Sequence, residues 1–130
     1  MRLCAFVATA LLAATLIVPT AVAQTTSMVS VDIVDDPRPI EDWGYAPASR
    51  KVAAGTWVTW SNNGYEGHSV TAVNEAFDSG ILNPSEGFSW YFDQDGTYEY
   101  VCTLHTWMTG NVVVGSGVAV EATEEPTPEE

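Results

Sequence analysis

The chain has 130 residues and a formal net charge of −13, from seventeen acidic against four basic side chains. That length suits one compact domain and excludes two ordinary ones. Such acidity makes nucleic acid and anionic membrane poor partners; it suits attraction of a basic partner or solubility at high salt.

The first stretch reads as a leader. After Arg2, residues Leu3 to Val18 are almost wholly apolar, and Ala21-Val22-Ala23 offers the small-x-small pattern that signal peptidases cut. Residues 1–23 are therefore expected to be a signal peptide, 24–120 the folded domain and 121–130 an acidic, disordered tail. Cleavage near Gln24 removes Cys4 and leaves Arg38, Arg50 and Lys51 against all seventeen acidic residues, a net charge of −14. The expected location is the periplasm or the extracellular face of the cytoplasmic membrane, with no spanning segment in the mature chain. One cysteine, Cys102, then remains in an oxidising compartment. An odd cysteine there is a free thiol, an intermolecular bridge or a metal ligand, and its neighbours favour the last.

From Met28 the pattern alternates, Val29, Val31 and Ile33 on one face and Ser30 and Asp32 on the other, which predicts a half-buried strand. Asp35-Asp36-Pro37-Arg38-Pro39 ends it, because proline cannot donate to a ladder. Trp43 to Pro47 reads as a turn-prone aromatic stretch, and Val52 leads into a turn at Gly55. Thr56 to Trp60 is a second strand with Val58 and Trp60 facing inward. Asn62-Asn63-Gly64 is a turn, His68 to Val73 a short strand, and Phe77 to Pro84 irregular. Phe88, Trp90 and Phe92 then form one apolar face. After the turn at Asp95-Gly96, Tyr98, Tyr100 and Cys102 form another. A final strand, Asn111 to Val114, leads through Gly115-Ser116-Gly117 to Val118-Ala119-Val120. Short strands with turns between them and no helical period predict an all-β sandwich.

The chemistry concentrates in Cys102-Thr103-Leu104-His105-Thr106-Trp107-Met108, where a thiol, an imidazole and a thioether recur every three residues. Two His and one Cys with a weak axial Met describe a blue-copper electron-transfer site. The stretch holds three of those donors, and the chain has one other histidine, His68. The candidate metal ligands are thus His68, Cys102, His105 and Met108. Alone, the stretch is a set of soft ligands compatible with zinc, with cuprous ion or with no metal at all.

With Val52-Ala53-Ala54-Gly55-Thr56, Gly67-His68-Ser69-Val70, Phe77-Asp78-Ser79-Gly80-Ile81-Leu82, Gly96-Thr97-Tyr98-Glu99-Tyr100 and the ligand loop in place, the chain resembles a cupredoxin from about Val29 to Val114. Within that type 1 blue copper family it is most similar to amicyanin and plastocyanin, and the two-residue gap between His105 and Met108 is amicyanin-like. The resemblance implies a Greek-key β-sandwich, one type 1 copper ion and single-electron shuttling. It also implies a surface edge for His105 in an apolar patch, with Leu104, Trp107 and Pro84 as candidates, where redox partner proteins dock. A monomer is expected. No catalytic residues are assigned, since four protein ligands leave no open position for substrate. The alternative is a copper-binding protein for storage or delivery. Two departures from the family pattern stand out. Ser69 replaces the usual Asn after the first histidine, and its shorter hydroxyl is expected to brace the ligand loop less well. Leu104 and Thr106 replace prolines flanking His105, which adds an N–H at each position and is expected to loosen the loop.

Overall fold

In the computed structural model, which describes residues 17–20 and 26–115, the alternation from Met28 is realised as β1 (Ser27–Val34), with Val31 and Ile33 buried and Ser30 and Asp32 exposed. A 3-10 turn (Ile40–Asp42) follows. Next come β2 (Gly44–Ala46), β3 (Ser49–Val52), β4 (Thr56–Asn62), β5 (Thr71–Ala72), β6 (Gly87–Phe92), β7 (Gly96–Val101) and β8 (Thr109–Val114). They form two four-stranded sheets, ordered β2-β1-β4-β6 and β3-β8-β7-β5. Each connection from β2 to β7 crosses from one sheet to the other. The pairs β1/β4 and β3/β8 are parallel and the rest antiparallel. The architecture is the expected all-β sandwich. Among the described residues no helix is long and apolar enough to cross a membrane. The leader's cleavage site, the Val118 to Val120 stretch and the acidic tail lie outside the described residues.

The core lies where the inward rows of the two sheets meet. Val58 and Trp60 are buried, and Trp57, one position out of phase, is exposed. Trp60 packs edge-on against Tyr100 at 5.3 Å between ring centroids, and Tyr100 packs against Tyr45 at 4.8 Å. Truncating a buried ring of this kind to alanine costs about 3–5 kcal/mol. These aromatics therefore set the spacing of the sheets, and Cys102, next inward after Tyr100, inherits its fixed position from them.

Three stretches differ from the sequence reading. Trp43 to Pro47 contains β2, where Tyr45 alone is buried, too short a pattern to show a period. The polar Ser49-Arg50-Lys51-Val52 forms β3, an edge strand held by its ladder to β8 and by the Arg50 guanidinium on the Ser30 carbonyl at 2.6 and 3.1 Å. Between His68 and Val73 only Thr71–Ala72 is a strand, and His68 makes a single bridge to Leu82. Trp90, expected inward, is 37% exposed because β6 is an edge strand with no neighbour beyond it.

Candidate metal centre

β1 and β4 run parallel with Ile33 opposite Asn62, so both end at the same pole of the sandwich. Asn62 is fully buried and organises the loop that follows. Its amide donates to the carbonyls of Glu66 at 2.8 Å and Leu82 at 2.9 Å, and its Oδ1 accepts the Gly64 N–H at 2.9 Å. That loop delivers His68, which exchanges backbone hydrogen bonds with Leu82 at 3.1 and 2.7 Å and is 0% exposed. Its Nε2 lies 2.7 Å from Oδ2 of Asp35, just past the end of β1. The side chain's other nitrogen, Nδ1, is thereby turned towards the ligand loop.

β7 ends at the same pole, and Cys102 follows it directly. The loop closes on itself: the Cys102 N–H donates to the Met108 carbonyl at 3.1 Å and the Met108 N–H to the His105 carbonyl at 2.9 Å. Ser69 bolts this loop to the His68 segment. Its hydroxyl accepts the Thr103 N–H at 2.9 Å and lies 3.1 Å from Thr103 Oγ1 and 3.0 Å from Thr71 Oγ1, while its N–H donates to Cys102 Sγ at 3.3 Å. The shorter side chain thus still bonds the loop directly, because Thr103 reaches back to meet it.

The structure brings His68, Cys102 and His105 together. Cys102 Sγ lies 3.9 Å from His68 Nδ1 and 3.7 Å from His105 Nδ1, and the two nitrogens are 3.1 Å apart. A point equidistant from all three atoms lies about 2.1 Å from each, within the span of about 2.0–2.3 Å at which imidazole nitrogen and thiolate sulfur hold such a metal. Met108, 1% exposed, is buried at the closing turn of the same loop. Two imidazoles, a thiol and a thioether make a soft donor set that excludes hard cations and fits copper.

Electrostatics favour the thiolate of Cys102 and keep a proton on His68 that a metal must displace. Burial pushes the Cys102 thiol up, but the His68 imidazole and the N–H groups of Ser69, Leu104 and His105 outweigh it and hold the thiol at about 6. The Leu104 N–H is a group that proline, at that position in related loops, would lack. Burial opposes ionisation of Asp35 too, yet the bond to His68 and the N–H groups of Glu66 and Tyr65 lower its value overall. His68 loses by burial and gains more from Cys102 and Asp35, so it is raised.

His105 is half-buried and sits between two indoles, 5.3 Å from Trp43 and 5.3 Å from Trp107, both edge-on. Trp107 donates its Nε1–H to the Ile40 carbonyl at 3.0 Å, which ties the ligand loop to the 3-10 turn. Leu104 is 54% exposed, Trp107 48%, Ile40 55% and Ile81 49%. A methyl group on Gly67 would touch both Ile81 and Leu104, so those two stand side by side. Pro84 is exposed in the turn that enters β6, held by the Ser85 N–H on the Asn62 carbonyl. Sequence reasoning missed Asp35, Asn62, Trp43 and Ile40. Only Asp35 left a signal, as an acidic residue at the end of a strand, and that reads equally as a turn former.

Comparison with known proteins agrees with this arrangement. The profile of copper binding proteins of the plastocyanin/azurin family matches residues 38–115. Amicyanin-alpha of Methylorubrum extorquens is 35% identical over 69 residues, covering 49% of this chain and 58% of that protein. Amicyanin of Paracoccus versutus is 29% identical over 80 residues, covering 58% and 61%. The match thus spans about three fifths of those curated relatives. Among solved structures, a purple cupredoxin from Nitrosopumilus maritimus superposes with a TM-score of 0.59 at 29% identity, covering 66% of this chain and 98% of that one. A reduced mutant of amicyanin superposes with a TM-score of 0.59 at 28% identity, covering 72% and 87%.

Proposed function

Because this chain belongs to the plastocyanin/azurin family of copper-binding proteins, with one type 1 copper ion as its cofactor, we propose that it is a small exported carrier of single electrons between redox partner proteins. In this reading His68, Cys102, His105 and Met108 are the copper ligands and the protein has no catalytic activity of its own. The observation that carries it is the triangle of two imidazole nitrogens and one sulfur, 3.1 to 3.9 Å on a side, formed by residues from two separate segments.

When bound, copper supplies a one-electron couple between Cu(II) and Cu(I). The protein supplies a cage that resists rearrangement. His68 is held through Asp35, Cys102 through the Ser69 N–H and the Met108 carbonyl, and His105 by the flanking indoles. Ligands fixed by packing move little when the charge changes, which keeps the cost of each transfer low. Electrons would cross at the exposed edge of His105, where Leu104, Trp107, Ile40 and Ile81 form an apolar collar that sheds water on docking. The acidic surface would steer a basic partner to that collar. Export follows from the leader, and the mature chain acts as a monomer outside the cytoplasm.

Copper storage or delivery uses the same ligands but favours an accessible sulfur, whereas Cys102 is 0% exposed. The two readings separate in one experiment. Copper-loaded protein is reduced, reoxidised and passed through a desalting column. Retention of copper through both steps supports the carrier; release on reduction supports a handling protein.

A further inference from the structure

We propose that Asp35 is a positioning residue of the metal centre, holding His68 in the tautomer with its proton on Nε2 and an open lone pair on Nδ1, and strengthening that nitrogen as a donor to Cu(II) in preference to Cu(I). The proposal rests on the copper reading above and concerns how the chain prepares one ligand for it.

The carboxylate is built into the fold. Asp35 is 1% exposed and His68 0%, and their 2.7 Å contact joins the end of β1 to a segment 33 residues further along the chain. The same carboxylate accepts the Tyr65 N–H at 2.8 and 3.0 Å and the Glu66 N–H at 2.9 Å. Each of these partners is a donor, so the carboxylate acts as an acceptor throughout and the proton it shares with His68 belongs on Nε2. An imidazole left to itself samples both tautomers, and the wrong one would aim an N–H at the metal position. With Nε2 engaged, Nδ1 faces Cys102 Sγ at 3.9 Å and His105 Nδ1 at 3.1 Å, and in this tautomer it presents its lone pair to them.

The loop is shaped around this group. A Cβ at Gly64 would lie 2.2 to 2.5 Å from the Asp35 carboxylate atoms, so any side chain there displaces the carboxylate. Asn62 fixes Gly64 in that place by accepting its N–H at 2.9 Å. A carboxylate hydrogen-bonded to the far nitrogen of a ligating imidazole raises its basicity, and loss of such a partner costs about 10–100-fold in metal affinity. A more basic imidazole stabilises the higher charge on Cu(II) more than that on Cu(I), so Asp35 lowers the reduction potential.

The test uses the full chain. Reduction potentials are measured by voltammetry for the copper-loaded wild type, Asp35→Asn, Asp36→Asn and Gly64→Ala. Asp35→Asn is expected to raise the potential; a tenfold preferential loss of Cu(II) affinity corresponds to about 59 mV for a one-electron couple. Gly64→Ala should move it the same way, because it displaces the carboxylate while keeping the charge. Asp36→Asn removes an equal charge from an exposed neighbour and should move it less. Equal shifts in Asp35→Asn and Asp36→Asn would overturn the proposal, as would an unchanged potential in Asp35→Asn. A second readout needs no copper and no variant. At alkaline pH, 15N NMR of the metal-free wild type should find the His68 proton on Nε2 and slow to exchange. A proton on Nδ1 overturns the role of Asp35, whereas failure of the wild type to form a blue complex counts against the copper reading alone.

Discussion

The hydroxyl of Ser69 accepts the backbone N–H of Thr103 at 2.9 Å, so the residue after one candidate ligand is bonded directly to the residue after another. Two segments that lie 34 residues apart are locked at the point where the donor atoms meet. Replacing Ser69 by Ala leaves the Thr103 N–H without this partner. The expected loss is about 1–2 kcal/mol of stability in the metal-free protein, measured by denaturant unfolding. An unchanged midpoint would show that the brace contributes nothing.

The second prediction concerns Cys102. With burial outweighed by His68 and three backbone N–H groups, its thiol falls from an ordinary 9.0 to about 6. Ultraviolet titration of the thiolate in the metal-free protein should therefore give a midpoint near 6, and one near 9 would contradict the site's electrostatics. The sign of the linkage is that of a depressed value. The ionised thiol stabilises the fold in full above its unfolded-state value, and the contribution is lost as pH falls through about 6. Copper affinity should weaken over the same acid range, since metal must displace a proton from Cys102 and, with His68 raised, from that imidazole as well.

Docking at the collar is tested by Leu104→Asp. Leu104 is 54% exposed, so the fold should tolerate the change and the visible spectrum should persist. Placing a desolvated charge in an apolar contact should slow electron transfer to a partner by about tenfold or more. Equal rates would remove the collar from the account. Wild-type rates with a basic partner should fall as salt rises, because long-range attraction is screened.

Processing of the leader gives a fourth prediction. Mass spectrometry of the exported protein should find a chain beginning at Gln24, without Cys4. Retention of the apolar Leu3 to Val18 stretch would contradict export by cleavage.

The fold was legible where apolar residues alternate over enough positions to show a period, as in β1 and β4. It was illegible in β2, where Tyr45 alone is buried, and in β3, where the charged Arg50 shares the inward side with Val52 and masks the apolar period. The candidate ligands were legible because histidine and cysteine are scarce and Cys102, His105 and Met108 sit three residues apart. Their support was not. Asp35 is 33 residues from the histidine it holds, Trp43 is far from His105 in the chain, and no local spacing marks either contact. The contact made by Ser69 also depended on a partner across the fold, the Thr103 N–H, which reaches its hydroxyl.

The imidazoles of His68 and His105 and the thiolate of Cys102, with Met108 in the same loop, make the proposed single type 1 copper site. Its most direct measurement is a titration of the metal-free protein with Cu(II), followed in the visible region. An intense blue absorption that saturates at one copper per chain and disappears in Cys102→Ser is the expected result. A colourless complex, or colour that survives the loss of Cys102, would contradict it.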